Sequence, residues 1–153
     1  MSPIEVIKLN PDLVRRIHAR VLNERELQGE YEGRLEGALS RLQARLDYNL
    51  GIDDVFDVAG CYAAFITEAP AFTDGDKRTA FRASIAVLGM NGINPKFQRV
   101  PDEPYYDMII ECAKGNCSEN EIAGYLRALH SQFMIQLESI SNGSNTNQKH
   151  LED

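Results

Sequence analysis

Tryptophan is absent from the 153-residue chain, cysteine and histidine occur three times each, and basic residues are outnumbered 16 to 23. No apolar run approaches the roughly 18 residues that a membrane-spanning helix needs. So few cysteines exclude a disulfide-built scaffold, and their placement excludes a paired zinc motif: Cys61 sits in an apolar stretch, while Cys112 and Cys117 are five apart with no matching pair. All three are read as core or surface thiols. Met1-Ser2-Pro3-Ile4-Glu5 lacks the charged and apolar regions of a signal peptide, so a cytoplasmic location is expected. The net charge of −7 argues against direct binding to nucleic acid or to an anionic membrane, both of which reward a basic surface. It leaves room for a local basic pocket.

What is present is enough apolar sequence, 43%, to bury one core without staples, arranged with helical period. Asn10-Pro11 opens a first helix, with Asn10 as N-cap, and Leu13, Val14, Ile17, Val21 and Leu22 form its stripe. Leu35, Leu39, Leu42 and Leu46 predict a second helix from about Gly33 to Tyr48, whose polar side carries Arg34, Arg41 and Arg45. Asp53 or Asp54 caps a third, Val55 to about Thr67, which is apolar nearly all round and ends before Pro70. A loop from Ala69 to Gly75 leads to a fourth, Asp76 to about Met90, stopped by Asn91-Gly92.

An extended connector is predicted from Ile93 to Val100, then a fifth helix capped by Asp102 and running to Lys114-Gly115. Ser118 and Glu121 form a capping box for a sixth, with Ile122, Leu126, Leu129 and Phe133 on its buried side. From about Ser139 the chain is polar and low in apolar content, so residues 139–153 are expected to be a disordered tail. The pattern describes a compact all-α bundle with two buried central helices and one domain over residues 4–138.

The stretch Phe72-Thr73-Asp74-Gly75-Asp76-Lys77-Arg78-Thr79 lies where a loop meets a buried helix. A helix N-terminus offers unpaired N–H groups and the positive end of the macrodipole, which attract an anion. Gly75 admits close approach, Lys77 and Arg78 add charge, and Asp74 is placed to hold a divalent cation that bridges phosphate oxygens. The same residues also make an ordinary acidic helix start.

The string resembles the signature of the Fic and Doc (death-on-curing) proteins, H-x-F-x-D-G-N-K-R or H-x-F-x-D-G-N-G-R. Phe72, Asp74, Gly75 and Arg78 match in register, and Lys77 takes the Doc form. Arg41-Leu42-Gln43-Ala44-Arg45 with Tyr48, Asp54 to Ala59, Lys77-Arg78-Thr79-Ala80 to Leu88, and Asn91-Gly92 are also similar to Doc, so the likeness spans roughly residues 4 to 132. The resemblance implies a six-helix Fido fold with the motif loop between two central helices. It implies phosphate binding by Gly75, Asp76, Lys77 and Arg78, Mg²⁺ at Asp74, and ATP as co-substrate. In the family the motif histidine deprotonates a hydroxyl of a target protein. Doc-type members phosphorylate translation elongation factor Tu and Fic-type members usually transfer AMP.

Two positions depart from the signature. Pro70 stands where the histidine belongs, and proline has no titratable group to act as general base. Asp76 replaces asparagine, so a carboxylate would repel phosphate unless a cation screens it or it becomes a second metal ligand beside Asp74. Other bases to weigh are Glu68, the nearest carboxylate, and His18 and His130, each expected to be an ordinary histidine; His150 falls in the tail. Arg41 and Arg45 either face the pocket or form a solvated face paired with Asp47 or Glu36. The inhibitory S/T-x-x-x-E-G/N string of many Fic proteins is missing, so inhibition would have to come from a partner. Three functions follow: an impaired Doc-like protein acting by binding an antitoxin-like or target protein, an active kinase or nucleotidyl transferase, or an immunity or host-interference binding module.

Overall fold

The computed structural model describes residues 5–48, 51–103, 107, 108, 111, 114, 115 and 117–152, with side chains described as far as 142. Among these residues the secondary structure is helical, apart from one isolated antiparallel bridge between Glu30 and Phe72. Helix α1 spans Pro11–Val21. Its cap is as read: the Asn10 side chain accepts from Leu13 N–H at 2.8 Å. Helix α2, Arg34–Tyr48, begins after Gly33 and buries Leu35, Ala38, Leu42 and Leu46, one face at helical spacing.

Helix α3, Val55–Glu68, is capped reciprocally by Asp54 and Asp57, each side chain accepting from the other's backbone N–H. Arg127 places Nη2 at 2.9 Å from Asp54 and 2.8 Å from Asp57, which balances the two carboxylates and draws Asp54 below the usual carboxylate range. Ten of the fourteen residues of α3 are buried, and eight of the fifteen in α4, Asp76–Met90. These two helices pack on each other, α2 lies against α3, and α1 lies against α4. Each fully buried leucine, isoleucine or valine among them contributes roughly 1.5–3 kcal/mol relative to an exposed one.

The last helix, here α5, spans Glu119–Glu152 and crosses α3, burying Ile122, Ala123, Leu126 and Leu129. Gly60 makes the crossing close: a Cβ there would stand 2.4 Å from the Glu119 carbonyl oxygen. Among the described residues no helix is long and apolar enough to cross a membrane.

Two expectations change, at the 93–100 connector and at Cys117. The connector at 93–100 contains a 3₁₀ turn, Pro95–Arg99, because Pro95 presets its φ and the Asn94 side chain caps it by accepting from Lys96 N–H at 2.9 Å. Half of the fifth helix expected from Asp102 to Gly115 lies outside the described residues; 107, 108 and 111 are helical as expected, and the Asp102 carboxylate accepts from Arg82 Nε at 2.7 Å. The segment from Ser139, expected as a disordered tail, falls within the bounds of α5. Cys117 is disulfide-bonded, with a turn at Lys114-Gly115 just before it. It is not a thiol as its spacing suggested. Cys61 is free and fully buried, and burial pushes its thiol up to about 12.

Candidate functional site

The motif segment at Ala71 to Thr73 is tied to the α1–α2 connection through the isolated Glu30–Phe72 bridge. Tyr31 N–H donates to Ala71 O at 2.7 Å and Thr73 N–H to Gly29 O at 2.9 Å, one on each side of the Glu30–Phe72 bridge. Phe72 is buried, and its ring stacks on the His18 imidazole with centroids 3.8 Å apart and planes 10° apart. His18 Nε2 lies 2.7 Å from the Asp74 carbonyl oxygen. A carbonyl only accepts, so Nε2 carries the proton and donates. His18 is therefore a buried strut beneath the loop, 2% exposed, and not a base at its surface.

Gly75 turns the chain into α4 with φ +82°, a left-handed conformation that costs an L-residue roughly 1–2 kcal/mol. It provides no side-chain cap, and the first bond of the helix runs from Thr79 N–H to Gly75 O at 2.9 Å. The N–H groups of Asp76, Lys77 and Arg78 thus have no intrahelical acceptor. Residues Thr73 to Arg78 line a cavity of about 260 Å³ at this point, with Lys77 exposed on its rim.

Asp76 does not simply face that cavity. Its Oδ1 accepts from Phe72 N–H at 3.0 Å, and Ala71 N–H also donates to the carboxylate. Burial pushes Asp76 above the usual carboxylate range against the pull of those two N–H groups. The side chain so ties the start of α4 to the strand before it, a role that the asparagine of the family signature could fill with one oxygen and no charge. Asp74 is committed through one oxygen, Oδ2 accepting from Leu27 N–H at 2.7 Å. Arg78 donates to Val21 O and to the Glu26 carboxylate.

Pro70 is exposed at the end of α3, and its carbonyl accepts from Arg34 Nη1 at 3.2 Å. Together with Glu68, Arg34 and Arg41 it lines a separate cavity of about 580 Å³. Glu68 lines the same cavity as Pro70 and the two arginines. Arg41 and Arg45 part company: Arg41 reaches the Pro70 cavity, while Arg45 pairs with Glu119 at 3.0 Å. Neither Asp47 nor Glu36 serves them; Asp47 accepts from Gln43, and Glu36 pairs with Arg15. His130 packs between Phe56 and Phe97 with centroids 5.5 and 5.3 Å away, as an interior aromatic neighbour.

These groups fit a phosphate-type anion: Asp76, Lys77 and Arg78, whose N–H groups lack an intrahelical acceptor, border one small cavity, and Lys77 adds a positive charge there. They fit Mg²⁺ in the manner of a phosphate-bridged ion, held by one or two carboxylates and otherwise by water and phosphate oxygens. Asp74 has one oxygen, Oδ1, outside the bonds described, while the Asp76 carboxylate takes two backbone N–H groups. Among the described residues no cluster of three or more His, Cys, Asp or Glu forms a self-sufficient metal cage. No protein-family model matches the chain, and no curated protein matches it. The likeness to Fic and Doc proteins rests on the residues of the sequence itself.

What sequence reasoning missed is the connection 22–33, which supplies Glu26, Leu27, Gly29 and Tyr31 to the loop. It carries neither a helical stripe nor a strand alternation that would have marked it.

Proposed function

We propose that the chain is a Doc-like Fido protein, with six helices of which α3 and α4 are the central pair, that acts by binding a protein partner and transfers nothing efficiently. The observation that carries this reading is the chemistry around position 70. Pro70 offers a carbonyl already bonded to Arg34, and the one histidine beside the motif, His18, is buried and has its Nε2 proton engaged by Asp74 O. A missing general base commonly costs on the order of 10²–10⁴ in rate.

The retained half of the motif supports anion binding. Gly75 and the first N–H groups of α4, with Lys77, would hold phosphate oxygens, and Asp74, seconded by Asp76, would hold Mg²⁺. When bound, ATP would supply a phosphoryl or nucleotidyl group, and among the described residues that line this cavity there is no histidine to deprotonate an acceptor hydroxyl. An antitoxin-like or target protein is the partner class that fits this ancestry.

Calorimetric titration with ATP and Mg²⁺ tests the anion site. Binding is expected, and Lys77→Ala should weaken it at least about fivefold, or ~1 kcal/mol. No heat of binding at millimolar nucleotide would remove the anion site and leave a pure protein-binding module of the immunity type.

A further inference from the structure

Two arginines and two carboxylates line the cavity of about 580 Å³ beside Pro70, which the motif chemistry leaves unused. Arg34 and Arg41 are about two helical turns apart and so share one face of α2. Gly37 lies between them and carries no side chain. Long helical side chains lean toward the N-terminus. Arg41 does so over the bare position, its Nη1 standing 3.7 Å from where a Gly37 Cβ would be. Both guanidinium groups thereby border the cleft between the head of α2 and the end of α3.

Arg34 is held in place, since Nη1 donates to the Pro70 carbonyl at 3.2 Å and the guanidinium lies 4.5 Å from the centroid of the exposed Tyr31 ring. Arg41 from α2 and Glu68 from the end of α3 are both exposed, and among the described residues neither forms an ion pair. Opposite charges that line one cavity without pairing leave room for a ligand that meets both. Glu32 completes the charged lining, so the charges cancel. A polyphosphate would meet two carboxylates along with the two guanidinium groups, whereas a peptide carrying both signs finds an opposite charge for each. Pro70 has no N–H and its carbonyl is taken by Arg34, so what it offers a ligand is an apolar ring. Tyrosine and arginine are the residue types on which binding energy concentrates at protein interfaces.

We infer that this cleft docks an extended segment of the partner protein that carries an acidic and a basic side chain on one side, the carboxylate on Arg41 and the cation on Glu68. In an extended segment, residues two apart point to the same side, so an acidic residue, a spacer and a basic residue meet the requirement. The inference rests on the protein-binding reading above and names the surface and the chemistry of the partner. It also gives Pro70 a use in place of the missing base, as the uncharged wall of a docking cleft.

The probe is the peptide acetyl-Gly-Glu-Gly-Lys-Gly-amide, titrated to about 10 mM into the isotope-labelled full chain and followed by NMR. Shifts are expected at the amides of Gly33 and Gly37 and at the Arg41 Nε–H, and not at Gly124 on α5. Arg41→Gln and Glu68→Gln alter exposed side chains and should each weaken binding about threefold or more. Arg16→Gln, which changes an exposed arginine of α1 outside the cavity, should leave it unchanged. The rival occupants are acetyl-Gly-Glu-Gly-Glu-Gly-amide and magnesium pyrophosphate. Tighter binding of either at Gly37 would overturn the mixed-charge segment in favour of a plain anion. No shift at Gly37 in the unsubstituted chain, or equal binding by Arg41→Gln and Glu68→Gln, would overturn the docking cleft. Those results leave the protein-binding reading standing, which falls instead if the unsubstituted chain transfers label from ATP.

Discussion

Pro70→His combined with Asp76→Asn is expected to raise label transfer from ATP to an acceptor protein by about a hundredfold or more over the unsubstituted chain. The histidine supplies the missing base at the exposed position after α3, two residues before Phe72. The asparagine keeps an oxygen for Phe72 N–H, now 3.0 Å from Asp76 Oδ1, and removes a negative charge from the edge of the proposed phosphate site. Each substitution alone should give much less, because one leaves a repelling carboxylate and the other leaves no base. Expression of the double variant should slow growth where the unsubstituted chain does not. A folded double variant that binds ATP and Mg²⁺ yet transfers nothing would show that the base is not what limits this loop.

Gly60→Ala is expected to be among the most damaging single substitutions in the core, at about 2–3 kcal/mol. The added Cβ would lie 2.4 Å from the Glu119 carbonyl oxygen and 3.0 Å from Ala123 N. Both are backbone atoms, so no rotamer change relieves the contact and α3 and α5 must separate. Gly124→Ala is the matched control on α5: its Cβ meets nothing within 4 Å, and alanine is the better helix former. Denaturant unfolding should show a lower midpoint for the first variant and an unchanged or higher one for the second. Equal midpoints would mean that α5 does not cross α3 at Gly60.

The contrast between those two glycines marks where the sequence was legible. Caps and stripes are local, and they were read correctly at Asn10-Pro11, at Asp54, at Ser118-Glu121 and along Leu35, Leu42 and Leu46. Nothing local separates Gly60 from Gly124, because the difference lies in a helix 59 residues further on in one case and in open space in the other. The candidate loop was visible for the same reason that the caps were: Phe72 to Arg78 is a contiguous string.

Its surroundings were not visible. Glu26 reaches Arg78 across 52 positions, and His18 reaches Asp74 across 56. Such partners are chosen by the packing of α1 against α4, which no window of sequence contains. Asp76 is the instructive case. Its charge suggested a ligand facing outward, but a carboxylate at the first position of a helix can instead turn back and satisfy the N–H groups of the preceding strand, as Oδ1 does here.

The surface charge of −7 takes on a sharper meaning in this light. Part of it is deployed inside the motif region, where Glu26 neutralises Arg78 and the Leu27 N–H covers Asp74.

The central claim, that this chain keeps the Doc-like loop without its transfer chemistry, is tested most directly by incubating the full chain with Mg²⁺, labelled ATP and translation factors. The label is placed on the γ-phosphate in one arm and on the α-phosphate in the other, beside an Asp74→Ala control. The account predicts no label on any protein above that control in either arm. Label that appears with the unsubstituted chain and disappears with Asp74→Ala would contradict it.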